Sequence, residues 1–269
     1  GATLLRCTPQ HAVVFVCYEE VKKFLNQEIP VDQDLLEIKI PTYKSSSSSS
    51  SSQGQSQTKT QAQNSYLCAV FALPKNNKAA TVTIYEYQYA LAMNKKSNTS
   101  KLFTKIAQRA FFGADHCELL WDATNSYHHN LLAIASSDVD TSGKSYYGNQ
   151  TLFLLSSRNN FTAKVDISDQ GKLQDVAWHP YGKEFVMIDD HPQKITICDF
   201  RGQKAHALGH YARNLIRFSG DGRFLWCGGF GNLTGEMTFY DYKNIKNDES
   251  LACLGYNTDD ACRYFEWSP

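Results

Sequence analysis

Short apolar runs, rich in β-branched and aromatic residues and broken by glycine, proline, asparagine and charged residues, succeed one another along most of the chain. Runs this short read as strands rather than core helices. Residues 11–18 predict a buried strand, and the alternating Leu35-Leu-Glu-Ile-Lys-Ile40 predicts another. Tyr66–Leu73 and Ala80–Tyr87 predict a hairpin around the turn Pro74-Lys-Asn-Asn-Lys78. Residues 88–112 are less regular and predict a helical turn. Leu119–Trp121, Leu131–Ser136, Thr151–Ser156 and Phe161–Val165 form the next set. Val176–Trp178, Phe185–Ile188, Ile195–Phe200 and His206–Leu208 form a third. Leu215–Phe218, Leu225–Gly228, Met237–Tyr240 and Leu251–Leu254 form a fourth, and residues 261–267 open another.

Two of these sets repeat each other. Leu173-Gln-Asp-Val-Ala-Trp178-His-Pro-Tyr-Gly182-Lys183-Glu-Phe-Val186 and Arg213-Asn-Leu-Ile-Arg-Phe218-Ser-Gly-Asp-Gly222-Arg223-Phe-Leu-Trp226 share one plan. Each is an apolar strand ending in an aromatic, a tight turn closed by glycine and a base, and a second apolar strand. The aromatics Trp178 and Phe218 lie 40 residues apart, and Trp267-Ser268-Pro269 opens like a third copy. A period of about 40 residues with four strands per repeat is the mark of a β-propeller blade. The expected fold is therefore all-β, with roughly four blades, the first two irregular, and with Trp121, Trp178, Phe218 and Trp267 as core aromatics. The cut-off last copy reads as part of a longer propeller.

Residues 44–64 interrupt the pattern with a serine tract from Ser45 to Ser52 and then Gln-, Thr- and Ser-rich sequence. Nothing there can bury apolar area, so the segment is expected to be a disordered loop insertion. The chain has 269 residues, 42% hydrophobic and 20% charged, with a formal net charge of zero. No global field draws it to nucleic acid or membrane, and no apolar run is long enough for a spanning helix. The eight cysteines include no C-x-x-C pair, and Cys198 and Cys227 sit in apolar strands, so reduced, structural thiols are expected.

Candidate chemistry is thin. Asp138-Val-Asp140-Thr-Ser142-Gly143 resembles the first half of a calcium loop, but Asn149 stands where the bidentate glutamate belongs. The glycine-dense Gly228–Gly235 segment lacks the lysine and serine of a phosphate loop and reads as a strand crossing needing positive φ at several positions. Asn98, Asn149, Asn160 and Asn232 begin sequons that matter only in a secreted context. His128-His129 has no ligand spacing, so neither metal nor cofactor is expected, and no residue stands in a nucleophile setting. One charge asymmetry remains. Lys75, Lys78, Lys95, Lys96, Lys101, Lys105 and Arg109 face a single acid, Glu86, with Tyr85, Tyr87 and Tyr89 interleaved. A local basic, aromatic segment on a neutral chain is a candidate phosphate-backbone contact.

Three segments carry a resemblance. They are Phe111-Phe-Gly-Ala-Asp running on to Leu119-Leu-Trp-Asp; Ser136-Ser-Asp138-Val-Asp140-Thr-Ser-Gly143-Lys-Ser-Tyr146-Tyr147-Gly148-Asn-Gln-Thr-Leu; and Gly228-Gly229-Phe230-Gly231-Asn232-Leu-Thr-Gly235-Glu-Met, followed by Tyr240-Asp-Tyr-Lys-Asn. In this order, across residues 111–267, they resemble the signature of the eukaryotic translation initiation factor 2A family. The b subunit of translation initiation factor 3 shares the Gly-Asn-Leu element but fits Asp138–Asp140 less well. The resemblance implies a WD-type propeller of nine blades, with residues 1–269 part of that one domain. It implies a monomeric, cytoplasmic, non-catalytic factor without cofactor. Its partners would be the small ribosomal subunit, initiator tRNA, mRNA and other initiation factors. Two rival readings stand beside it: a protein-interaction scaffold without RNA contact, and a secreted, glycosylated, disulfide-bonded propeller.

Overall fold

The computed structural model describes residues 33–39, 65–74, 79–88, 102–122, 129–137, 148–168, 172–189, 193–210, 213–230, 233, 237–247, 253–257 and 265–267. The expected strand at 11–18 and the serine-rich insertion at 44–64 lie outside these residues. The chain divides into two compact units, residues 1–114 and 115–269.

In the first unit β1 (Gln33–Lys39), β2 (Ser65–Pro74), β3 (Ala80–Gln88) and β4 (Phe103–Phe111) form one antiparallel sheet in chain order. Leu67 to Ala72 of β2 are buried without a break, because a central strand packs on both faces and so needs no polar alternation. The hairpin runs in unbroken register from Ser65 opposite Gln88 to Ala72 opposite Thr81. Where a helical turn was expected, Phe103–Phe111 is the fourth strand. Its polar residues obscured the strand signal because it has only one neighbour, β3, and exposes Lys105, Gln108 and Arg109.

The second unit holds three more four-stranded antiparallel sheets. The first comprises β5 (His116–Trp121), β6 (Asn130–Ser137), β7 (Asn149–Ser156) and β8 (Thr162–Val165). The second comprises β9 (Asp175–Trp178), β10 (Glu184–Asp189), β11 (Lys194–Asp199) and β12 (Lys204–His210). The third comprises β13 (Leu215–Phe218), β14 (Phe224–Gly228), β15 (Met237–Asp241) and β16 (Cys253–Asn257). The β5–β8 sheet, expected to be irregular, keeps its register throughout, with Asn130 to Ser137 pairing without a slip. In each sheet the strands neighbour one another in chain order, so each sheet is a simple meander, the form of a propeller blade.

The sheets of this unit bury their faces against each other. Leu132, Leu152, Leu154 and Val165 of one sheet pack with Val176, Phe185, Met187 and Cys198 of the next. Val186, Ile188, Ile195 and Ile197 then pack with Ile216, Leu225, Cys227 and Tyr240. Alternate residues of β10 thus enter different cores, as period-two geometry requires of a strand covered on both sides. At the first-strand edge the Asp175 carboxylate on β9 accepts from the Ile216 N–H (2.8 Å) on β13. Side-by-side first strands and face-to-face sheets define the fold as an all-β propeller.

Candidate nucleic-acid interface

Trp178 and Phe218 end β9 and β13 and take the same place in successive blades: Trp178 pairs with Phe185 and Phe218 with Leu225. The turns beyond them are built alike. The Gly182 N–H donates to the His179 carbonyl (2.7 Å), and the Gly222 N–H to the Ser219 carbonyl (2.8 Å). Both glycines are left-handed, with φ of 64° and 69°, which explains the repeated Gly-Lys and Gly-Arg. Gly222 has a second constraint: a Cβ there would lie 2.6 Å from the His179 ring. That ring accepts at Nδ1 from the Tyr181 N–H (3.2 Å), so Nε2 carries the proton and donates to the Gly222 carbonyl (3.0 Å). His179 thereby ties its blade to the next.

Aromatic N–H groups make further ties. The Trp178 indole donates to the Leu120 carbonyl (3.0 Å), and the Trp267 indole to the Arg217 carbonyl (3.3 Å). In each case the acceptor precedes the equivalent aromatic, Trp121 or Phe218, of the sheet before. All four aromatics are only partly buried; Phe185 and Trp226 are the fully buried ones of these two blades. Phe265 stacks on Trp226 (4.3 Å) and sits edge-on to Trp267 (5.2 Å), so residues 265–267 cover the outer face of the last sheet. They are not a strand, and residues 261–264 lie outside the described residues.

Charge at these turns is largely committed internally. Burial pushes the Asp175 carboxyl above its usual range, against its bonds from Ile216 and Arg217. The Ser219 hydroxyl holds Asp221 below that range. Glu184 accepts from the Tyr242 hydroxyl (2.9 Å) and pairs with Lys246. Sequence reasoning gave His129 no role. It is buried and bonded through Nδ1 to Asp122 (2.8 Å), while the other Asp122 oxygen accepts from the Asn130 N–H (2.9 Å). The Trp121-Asp122 and His129-Asn130 spacing is the only signal that could have pointed there. Among the described residues no His, Cys, Asp and Glu group is set to hold a metal.

Of the basic stretch, Lys105 and Arg109 are exposed on β4, and Lys105 donates to Gln108 (3.2 Å). Lys75, Lys78, Lys95, Lys96 and Lys101 lie outside the described residues. Of the interleaved tyrosines, Tyr87 is not at the surface. It is buried against Phe103 at 4.9 Å, because its register position faces the sheet's packed side.

Of the family-like segments, Asp138, Asp140, Gly143, Tyr146, Tyr147, Gly231, Asn232 and Gly235 lie outside the described residues. Gly148 has φ of 72° where the chain enters β7. Gly228 and Gly229 do not have the positive φ expected of them. Gly228 answers a different demand, since a Cβ would lie 2.6 Å from the Trp226 indole. Asn214 holds the adjoining Phe230 by both ends of its amide, at 3.0 and 3.1 Å.

Comparison with known proteins agrees with this architecture. The family model described as Eukaryotic translation initiation factor eIF2A matches residues 109–269. A Schizosaccharomyces pombe protein named eukaryotic translation initiation factor 2A is 32% identical over 74% of this chain and 34% of its own length. The Saccharomyces cerevisiae protein of that name is 32% identical over 63% of this chain and 26% of its own length. This chain thus spans about a quarter to a third of those relatives. A solved structure, described as a crystal structure of the eukaryotic initiation factor, covers 87% of this chain and is itself covered over 46%. At 22% identity and a TM-score of 0.57 it speaks to the fold alone.

Proposed function

The chain belongs to the eukaryotic translation initiation factor 2A family, and from that premise we propose that it is a cytoplasmic, non-catalytic binding platform in translation initiation. Its partners are the small ribosomal subunit, initiator tRNA and mRNA, with other initiation factors alongside. A propeller suits this role because close-packed sheets hold their connecting loops rigid, and loops on a rigid scaffold make reproducible contacts. The observation that carries the reading is β4, whose exposed residues include Lys105 and Arg109 and no acid. It is flanked in sequence by five further lysines, Lys75, Lys78, Lys95, Lys96 and Lys101.

Such a stretch meets phosphates as point charges, so its affinity falls steeply with salt through counterion release. Changing Lys95, Lys96, Lys101 and Lys105 to glutamate is expected to abolish binding to small-subunit particles or initiator tRNA at low salt, with the circular dichroism spectrum unchanged. Equal binding by parent and variant would move the contact elsewhere on the chain. Failure of the parent to bind either partner would favour a protein scaffold without RNA contact.

A further inference from the structure

The β7–β8 turn of one blade and the β9–β10 and β11–β12 turns of the next meet on one surface. The β9–β10 turn (His179–Lys183) and the β11–β12 turn (Phe200–Gln203) line an open groove of about 720 Å³ with Tyr181, Lys183 and Phe200 on its walls. The β7–β8 turn and Phe200-Arg201 line a second, of about 510 Å³, with Arg158, Phe161, Phe200 and Arg201 on its walls. Phe200 belongs to both, so the two form one track across two blades. Among the described residues four large apolar side chains stand out as exposed: Phe112 at 89%, Tyr181 at 64%, Phe200 at 47% and Phe161 at 40%. Three of the four are in this track.

Each of these aromatics shares its turn with a cation. Arg158 and Phe161 close one turn, with the Phe161 N–H donating to the Arg158 carbonyl (3.4 Å) across left-handed Asn159 and Asn160. The Arg201 guanidinium lies 5.4 Å over the Phe200 ring. Lys183 follows Tyr181 by two residues. Of the acids lining the track, Glu184 is paired with Lys246 and accepts from Tyr242, and Asp199, which accepts from the Arg201 and Gln203 N–H groups (2.9 and 2.8 Å), is a single charge against the three cations. The track therefore offers alternating flat apolar surfaces and positive charge.

We propose that this track binds single-stranded RNA, with bases stacked on Phe161, Phe200 and Tyr181 and phosphates met by Arg158, Arg201 and Lys183. Every base has a π face, so stacking tolerates any sequence, and cations beside the aromatics follow the backbone. Duplex RNA keeps its bases stacked inside and gives such aromatics nothing to bind. A protein partner is less suited, because charged residues are depleted from the cores of protein interfaces, whereas here they alternate with the aromatics. The inference deepens the translation-platform reading and rests on it, at a surface separate in sequence from the basic stretch around β4.

The test is fluorescence anisotropy of the whole chain with a labelled twelve-nucleotide oligouridylate, against a duplex RNA of equal length, at two salt concentrations. The parent is expected to bind the single strand more tightly than the duplex. Phe161→Ala with Phe200→Ala is expected to weaken binding by roughly tenfold or more, while Phe200→Tyr keeps it. Arg158→Gln with Arg201→Gln is expected to lower the salt slope by about 1.4, at about 0.7 per phosphate contact for a single strand. These side chains are exposed, so thermal melting of the variants serves as the check that they fold. A parent that binds RNA equally well with or without Phe161 and Phe200 would overturn the track and leave the platform reading standing. A parent that binds neither oligonucleotide would overturn the track, while the platform reading is decided by the small-subunit and initiator-tRNA binding described above. Competition for the track by an acidic, aromatic peptide, with no effect of RNA, would assign it to a protein partner and overturn the RNA assignment.

Discussion

His179 condenses the residue-scale logic of the blade junction. Its ring is held in one tautomer by a donor at Nδ1 and an acceptor at Nε2, and it packs on Phe218 and Tyr242, each at 5.1 Å. Protonating Nδ1 would set a donor against the Tyr181 N–H. Burial, the largest influence, holds the ring's pKa below its usual value, outweighing the Gly222 carbonyl and Glu184, which raise it; Lys246 and Lys183 lower it further. The sign follows from linkage. With the folded pKa depressed, this contribution to stability is fully present above the unfolded value of about 6.5 and is lost as pH falls through the folded value. The urea midpoint should therefore fall between neutrality and mildly acid pH, and His179→Gln, which can still donate and accept, should fall less steeply. Parallel slopes would remove His179 from the junction. Asp175, whose pKa is raised, acts in the opposite sense, since it binds its proton more readily in the folded chain.

At the scale of elements, the indole ties predict graded losses. Trp178→Phe removes one hydrogen bond to Leu120 and should cost about 1 kcal/mol. Trp178→Ala also removes ring packing against Phe185 at 5.2 Å. Because Trp178 and Phe218 are only partly buried, Trp178→Ala and Phe218→Ala should each cost toward the lower end of the roughly 3–5 kcal/mol typical of deleting a core aromatic. Denaturant midpoints at constant slope measure this, and a neutral result for either would break the equivalence of the blades. That equivalence was legible in the sequence because strand, aromatic, turn glycine and base recur at one spacing. The strand Phe103–Phe111 was not legible, since an outer strand may face solvent and the pattern reports burial rather than conformation. The aromatic track was equally hidden. Phe161 and Phe200 read as strand residues, and Tyr181 as a residue of the repeat's turn, until the turns that carry them are seen to meet on one surface.

At the scale of the whole molecule, the distribution of thiols bears on where such a chain can live. Cys68, Cys117, Cys198 and Cys227 are buried and placed one in each of the four sheets. Cys198 and Cys227 even face different cores, so joining them would require a blade to turn over. Burial pushes the Cys198 thiol up to about 12, which leaves almost no thiolate at neutral pH to attack a reagent or a disulfide. The native chain should accordingly show these thiols as slow to react. After denaturation without reductant, a colorimetric titration should find eight, one for each cysteine of the sequence. Such a count would agree with the cytoplasmic location proposed above. A count near zero would mean that the cysteines are paired. It would then favour the secreted propeller, for which the exposed Asn149 and Asn160 would be candidate glycan acceptors rather than incidental sequence.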